Sequence, residues 1–392
     1  MLKVIQIVLN NIEQTSIGGH ATTLRNYVFA FPDEFAFVAT TDRSDLPTGR
    51  WFDYKDEGTS RRVFLVGRIA PYGTKGIVPG RIKVLCLLKR HRKAILSLGI
   101  RNVIVHSGES LIAVQNWGWD SLCYVFPGTE NPIERSRFAW ARPFAGVFDS
   151  LVFSALKKCS LVLASADERA IMDVVGRSKG ELRREDITRF PTRVDLKMFY
   201  PTPATEARTR LGLDADASVV VFCGRLNGVK GWRLALDAFY DFQRTRANAA
   251  MLFVGDGEDR NALSLKVDQL GLSGKVRLLG SVGGAEVPAY LNAASVVVVT
   301  SLYEGWSQTM LEALACGKPI VSTDVSGARD LIKSGENGYV VNSRDPKAFA
   351  TAMVESLGLP HSAAVSLDIV KPYALASLSH DLKALWPALH DR

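Results

Sequence analysis

Four residues in the C-terminal half of the sequence have types and spacings that suit one kind of chemistry: Glu304, Glu312, Arg225 and Lys230. A carboxylate accepts hydrogen bonds and matches the hydroxyls of a sugar, which donate them. Glu304 and Glu312 stand eight residues apart, one in a loop and one inside a helix, so they can grip hydroxyls on either side of a phosphate group. Arg225 can clamp a phosphate through two N–H groups, and Lys230 adds a point charge. Two fixed cations can offset the charge on a departing diphosphate without a metal.

These residues need elements to position them. The apolar run from Ser295 to Val299 reads as a buried parallel strand. Gly305 breaks the chain, Ser307 is a helix cap, residues 308–316 read as a helix, and Gly317 stops it. A second apolar strand follows at Pro319 to Ser322. The helix start, around Trp306 to Gln308, carries about half a positive charge and can hold a phosphate. Upstream, Val219 to Cys223 reads as a strand that delivers Gly224, Arg225 and Lys230 to the opening of a helix at 233–246. Met251 to Val254 is a strand ending in Gly255-Asp256-Gly257-Glu258. The alternation of strand and helix predicts a parallel sheet with helices on both faces.

The stretch SLYEGWSQTMLEALACGKPIV, with Glu304-x7-Glu312 inside it, resembles the signature of the retaining GT-B glycosyltransferases of glycosyltransferase family 4. Gly224-Arg225-Leu226-x4-Gly231 with Lys230, and the segment from Ile187 to Pro201, are similar to further parts of that family, covering most of residues 190–345. The resemblance implies an α/β GT-B fold: two Rossmann-like domains facing each other across a cleft, with a C-terminal helix crossing back. The expected domains are 1–199, joined by 371–392, for the acceptor, and 200–370 for the donor. It also implies a retaining, metal-independent hexosyltransferase that uses a UDP- or GDP-linked sugar and needs no cofactor. The acceptor would be a saccharide or lipid-linked saccharide in polysaccharide or lipopolysaccharide assembly. Glu304, Arg225 and Lys230 take the catalytic roles. Gly18, Gly19, Gly224, Gly255, Gly305, Trp306, Ser307 and Glu312 take the donor-binding ones, with Glu312 on the ribose. Two other readings stay open: a non-catalytic nucleotide-sugar-binding subunit, and a GT-B sugar-nucleotide epimerase.

The N-terminal half matches only loosely. Leu2 to Leu9 reads as a first strand, not a signal peptide, and Gly18-Gly19-His20 opens a helix from Ala21 to Phe31. Residues 41–60 are polar and irregular, and 71–80 hold prolines and glycines. In 81–96, Ile82, Leu85, Leu88 and Ile95 fall on one helical side among six Lys or Arg residues. That pattern fits an anionic membrane or lipid-linked acceptor; a core-facing helix with a solvated basic side produces it too. His106 and Glu109 follow a strand and, with His20 and Glu130, are the acceptor-side candidates. The family carries a His after the strand Ser121 to Phe126; here that position is Pro127.

Composition sets the remaining bounds. A chain of 392 residues has room for two or three domains. Its net charge of +8 favours anionic partners, but no nucleic-acid-binding module is recognisable. Five scattered cysteines with no CxxC pair point to a reducing compartment. No apolar run reaches the length of a membrane span. A cytoplasmic protein is expected, with the inner face of the cytoplasmic membrane as a second location. Asp214-Ala215-Asp216 spells a metal-binding DxD but sits where a turn Asp is ordinary.

Overall fold

The structure is a computed structural model and describes residues 2–11, 19–56, 59–69, 80–126, 128–134 and 138–390. Gly18, Pro127 and the loop 71–79 lie outside the described residues. Two compact units emerge. One comprises the first strand, Leu24–Pro191 and the segment from Leu378 onward. The other comprises Thr192–Ser377, with the residues from Gly19 through Thr23 counted to it.

The first unit holds eight strands: β1 (Val4–Asn11), β2 (Phe35–Thr41), β3 (Trp51–Asp56), β4 (Thr59–Arg68), β5 (Asn102–Val105), β6 (Ser121–Phe126), β7 (Leu161–Ala164) and β8 (Thr188–Arg189). They are ordered β3-β4-β2-β1-β5-β6-β7-β8. Every pairing is parallel except β3 with β4. Val4, Ile5, Gln6 and Ile7 are all buried, as a central strand covered on both faces requires. The region expected to be irregular thus contains β3, an antiparallel edge strand. Its Trp51-Phe52-Asp53-Tyr54-Lys55-Asp56 mixes apolar and charged residues, so no buried run betrays it.

Helices Gly80–Leu96, Gly108–Val114, Ala145–Leu156 and Glu168–Arg177 share one core with this sheet. In the first of them Val84, Leu88 and Ile95 are buried, whereas Ile82 is 45% exposed. The expected apolar side is therefore corrected. Two residues turn a helix by about 200°, which sets Ile82 opposite Val84.

The second unit holds β9 (Ser218–Cys223), β10 (Ala249–Val254), β11 (Val276–Gly280), β12 (Val296–Val299), β13 (Ile320–Thr323) and β14 (Gly338–Val341). All pairings are parallel, in the order β11-β10-β9-β12-β13-β14. This is a doubly wound sheet whose order reverses between β9 and β12, the place where such sheets bind ligands at the carboxyl ends of their strands. Each face has its own core. Val219 and Val221 point into one, and Val220 and Phe222 into the other, following the two-residue period of a strand.

The C-terminal segment is not one continuous helix. Ala374 is extended between two short 3-10 turns, Lys371–Tyr373 and Leu375–Ser377, and pairs with Val194, which donates to the Tyr373 carbonyl and accepts from Leu375 N–H. Backbone groups used this way cannot continue a helix. A shorter helix, Leu378–Leu385, follows and belongs to the first unit. There Leu378, Leu382, Trp386 and Leu389 are buried. Trp386 Nε1 donates to Ser121 Oγ at 2.7 Å, and Asn102 Nδ2 donates to the carbonyls of Lys3 and Ala388.

Candidate functional site

The reversal point between β9 and β12 is built from two loops laid against each other. Thr300 Oγ1 donates toward the carbonyls of Lys230 (3.1 Å) and Gly231 (3.0 Å), and Leu302 N–H donates to the Val229 carbonyl at 2.8 Å. The approach is close enough to require glycine. Gly231 has φ +73°, and a Cβ there would lie 2.0 Å from the Thr300 carbonyl oxygen. The Asn227 side chain accepts the Lys230 N–H at 2.9 Å and fixes the turn.

Two catalytic candidates meet at this junction. Lys230 Nζ lies 2.6 Å from Glu304 Oε1, and Ser301 Oγ donates to the same oxygen at 2.6 Å. Among the described residues no donor is placed on Glu304 Oε2. The Lys230 ammonium has three N–H groups and spends one on Glu304. Both side chains line an open pocket, together with Cys223, Ser301, Ser307 and Thr309. Ser307 caps the helix Gln308–Ala315, its side chain accepting the Met310 N–H. The first N–H groups of that helix have no intrahelical partner, and they open beside the pocket.

The loop carrying Glu304 is braced from behind. Arg344 donates to the carbonyls of Thr300 (3.2 Å) and Ser301 (3.3 Å). Thr323 Oγ1 donates to the Ser301 carbonyl at 2.7 Å. Sequence reasoning missed Ser301, Thr323 and Arg344. Ser301 opens the quoted motif, but nothing marks Arg344, which follows β14 in an ordinary polar turn.

Glu312 sits one turn into the same helix and is buried. Burial pushes its carboxyl up to about 8, with a bond from the Gln308 side chain pulling the other way. Burial also pushes the Cys223 thiol up to about 12, a shift that nearby Glu312 increases and Lys230 opposes. Glu312, Cys223 and Lys230 therefore cluster at the end of β9, though Glu312 does not line the pocket itself.

Arg225 is placed differently. Its Nε donates to Glu258 at 3.0 Å, its side chain is 38% exposed, and it does not line the pocket. It belongs to a lacing of strand ends in which Gly224 N–H bonds Val254 and Gly255 N–H bonds Gly280. Gly255 has φ +138°, and a Cβ would sit 2.0 Å from the Gly224 carbonyl oxygen. Gly305 is a half-buried bend after Glu304. The Trp306 side chain joins the core of the second unit, packed on Gly327 and 5.6 Å from the Tyr373 ring.

Three of the acceptor-side candidates, His106, Glu109 and Glu130, lie apart from one another within the first unit. His106 is buried at the end of β5, with its Nε2 3.0 Å from Gln6 Nε2 and its ring edge-on to Tyr27. Glu109 is buried in the first turn of the helix Gly108–Val114 and pairs with Arg81 at 3.1 Å. Glu130 is exposed. Gly19 and His20 start the helix Gly19–Ala30, and their side chains lie outside the described residues. Asp214 accepts from Asp216 N–H and the Asn248 side chain, as a turn residue does. Among the described residues no three His, Cys, Asp or Glu side chains gather as a metal site, and no helix is long and apolar enough to cross a membrane.

Residues 203–364 match the family model described as Glycosyl transferases group 1. A D-inositol 3-phosphate glycosyltransferase of Frankia alni is 32% identical over 210 residues, which make up 51% of this chain and 51% of that protein. The chain thus spans about half the length of the curated relatives it matches. Among solved structures, sucrose-phosphate synthase from Thermosynechococcus elongatus superposes with a TM-score of 0.77 at 17% identity, covering 99% of each chain. Anabaena HepE in complex with UDP gives 0.74 at 17% identity, covering 99% of this chain and 100% of that one. The fold is that of the GT-B glycosyltransferases.

Proposed function

We propose that this protein transfers a hexosyl unit from a UDP- or GDP-linked sugar to a saccharide or lipid-linked saccharide, with retention and without a metal. One observation carries the reading: Lys230 and Glu304 are paired at the sheet reversal beside a helix start. The pair offers a nucleotide sugar both signs of charge at once. The two remaining Lys230 N–H groups and the helix start suit a diphosphate; Glu304 Oε2 suits sugar hydroxyls. Glu312 bonds the ribose. HepE, with a similar fold, is described in complex with UDP.

In the proposed reaction the bond from the anomeric carbon to the diphosphate oxygen breaks, and the acceptor oxygen bonds to that carbon on the same face. The acceptor proton passes to the leaving diphosphate. Lys230 and the helix start stabilise the charge that develops on the leaving oxygens. Arg225 joins them by leaving Glu258, an exposed pair whose loss costs only about 0–1 kcal/mol.

A thermal-shift panel of UDP, GDP, ADP and their sugars tests donor binding. A ligand at 100 times its Kd stabilises by about 2.7 kcal/mol. Transfer is then followed with and without EDTA. Release of nucleoside diphosphate along with a glycosylated product in EDTA supports the reading. Binding without turnover assigns the chain to non-catalytic nucleotide-sugar binding, and turnover without diphosphate release to an epimerase. Stabilisation by none of the panel overturns the proposal.

A further inference from the structure

Glu312 is a buried carboxyl that no ion pair reaches among the described residues. Its helix flanks it with buried Leu311, Ala313, Leu314 and Ala315. One group bonds it: the side chain of Gln308, one turn earlier on the same face of the helix. Gln308 is buried too, and its Nε2 also donates to the Arg193 carbonyl at 3.2 Å. Both partners of that amide are acceptors, so its NH2 group must face them.

The titratable groups around Glu312 supply it no counter-charge at bonding distance. Cys223, at the end of β9, and Cys316, at the end of the helix itself, are thiols that burial pushes up to about 12. Lys230 and Glu304, on the loops after β9 and β12, pair with each other. Arg193 meets Gln308 through its backbone carbonyl. β12 and β13, which pack on this helix, carry no titratable side chain. Of the helices packed on it, Val287–Ala293 carries only Tyr290, and Ser362–Val370 only the exposed Asp368, which bonds Lys371. A buried carboxyl with a single donor keeps its proton, because its apolar surroundings penalise the charge more than one bond repays.

We propose that the sugar nucleotide binds with expulsion of a proton from Glu312, and that Gln308 sets the pH at which this happens. The step rests on the ribose role given to Glu312 above. Two ribose hydroxyls add two donors to the one from Gln308, and three hydrogen bonds to a carboxylate favour its ionised form. The O–H bond of the acid breaks, its proton passes to the buffer, and the carboxylate keeps the electron pair. The donor's diphosphate opposes a new negative charge nearby, and Lys230 with the helix start offsets that repulsion. Gln308 acts through Glu312 and is a positioning residue. Donor affinity therefore rises with pH up to about 8, where Glu312 of the empty site titrates, and levels off above it.

The test is calorimetric titration of the protein with UDP-glucose, or with GDP-mannose where thermal shift shows binding of that one alone. Both are diphosphate diesters, which take up no proton in this pH range. Runs in two buffers of different ionisation enthalpy count the protons released. The expected result is about 0.9 proton at pH 7 and an affinity that rises about tenfold between pH 6 and 7. Glu312→Gln should release none and bind with no such rise. Gln308→Leu removes the donor to the carboxylate, so it should weaken binding about tenfold at pH 7 and clearly less at pH 9. A deficit equal at both pH values would make Gln308 merely structural and overturn its part. Binding without proton release, or release unchanged in Glu312→Gln, overturns the proposal and leaves the donor reading standing. Binding of neither sugar nucleotide overturns both.

Discussion

Lys230 Nζ and Glu304 Oε1 lie 2.6 Å apart although 74 residues separate them in the chain. The Glu304 side chain is 12% exposed, and Lys230 and Ser301 both donate to its Oε1. Hydrogen bonds to charged groups contribute about 1.5–3 kcal/mol. Glu304→Ala should therefore slow turnover about ten- to 150-fold in a folded protein. Lys230→Met should do comparable damage. The double variant should lose less than the product of the two, because each single change already breaks the pair. Steady-state kinetics on the four proteins checks this; full turnover in Glu304→Ala would remove the residue from the mechanism.

Glu312 makes stability fall as pH rises. Its folded-state pKa of about 8 stands above the ordinary value of 4.5. Between those values the native state holds a proton that the unfolded chain has released. Unfolding free energy then drops by up to about 1.4 kcal/mol per pH unit. Below the window both states are protonated and the effect vanishes. Glu312→Gln should remove this slope, gaining on the parent at pH 8 and not at pH 4. Urea melts at the two pH values measure it, and a parallel pH dependence in both proteins would refute it.

Gly231→Ala should destabilise the second unit and disrupt the site together. The left-handed backbone costs an alanine about 1–2 kcal/mol, before any cost of moving the Thr300 carbonyl aside. Gly228 has open space where a Cβ would go, and Gly228→Ala should stay within about 0.5 kcal/mol of the parent. Denaturant midpoints for the two variants make the comparison. Equal midpoints would mean that the two loops are not in the contact described.

Arg344 reaches the chemistry only through the Thr300 and Ser301 carbonyls. Arg344→Met should lower kcat about tenfold with a smaller change in KM, since it loosens the loop that aims Glu304. Arg344→Lys has a single ammonium in place of a planar fork and should recover only part of the loss. Complete rescue by Lys would show that charge alone is needed there.

The second unit was legible because its strands are buried on both faces and read as unbroken apolar runs, such as Val219-Val220-Val221-Phe222. Edge strand β3 was not, because the exposed Asp53 and Lys55 interrupt its apolar residues. The tail was misread because Val194, nearly two hundred residues upstream, captures the backbone at Tyr373 to Leu375. In the site, residue types were legible and partners were not. Lys230 meets Glu304 only because β9 and β12 pair as neighbours, and Arg225 turns to Glu258 because the ends of β9 and β10 are laced together. Arg344 carries no local signal, since its job is defined by two backbone carbonyls more than forty residues away.

The burial of Trp386 against Ser121 sets an order of assembly. The sheet that leaves the ribosome first lacks part of its own interior until residues 378–390 are made. The later-made unit, by contrast, has nearly all of its chain in hand by Ser377. Nascent chains halted near residue 200 should therefore remain protease-sensitive and chaperone-bound, and the half synthesised first should be the half that matures last.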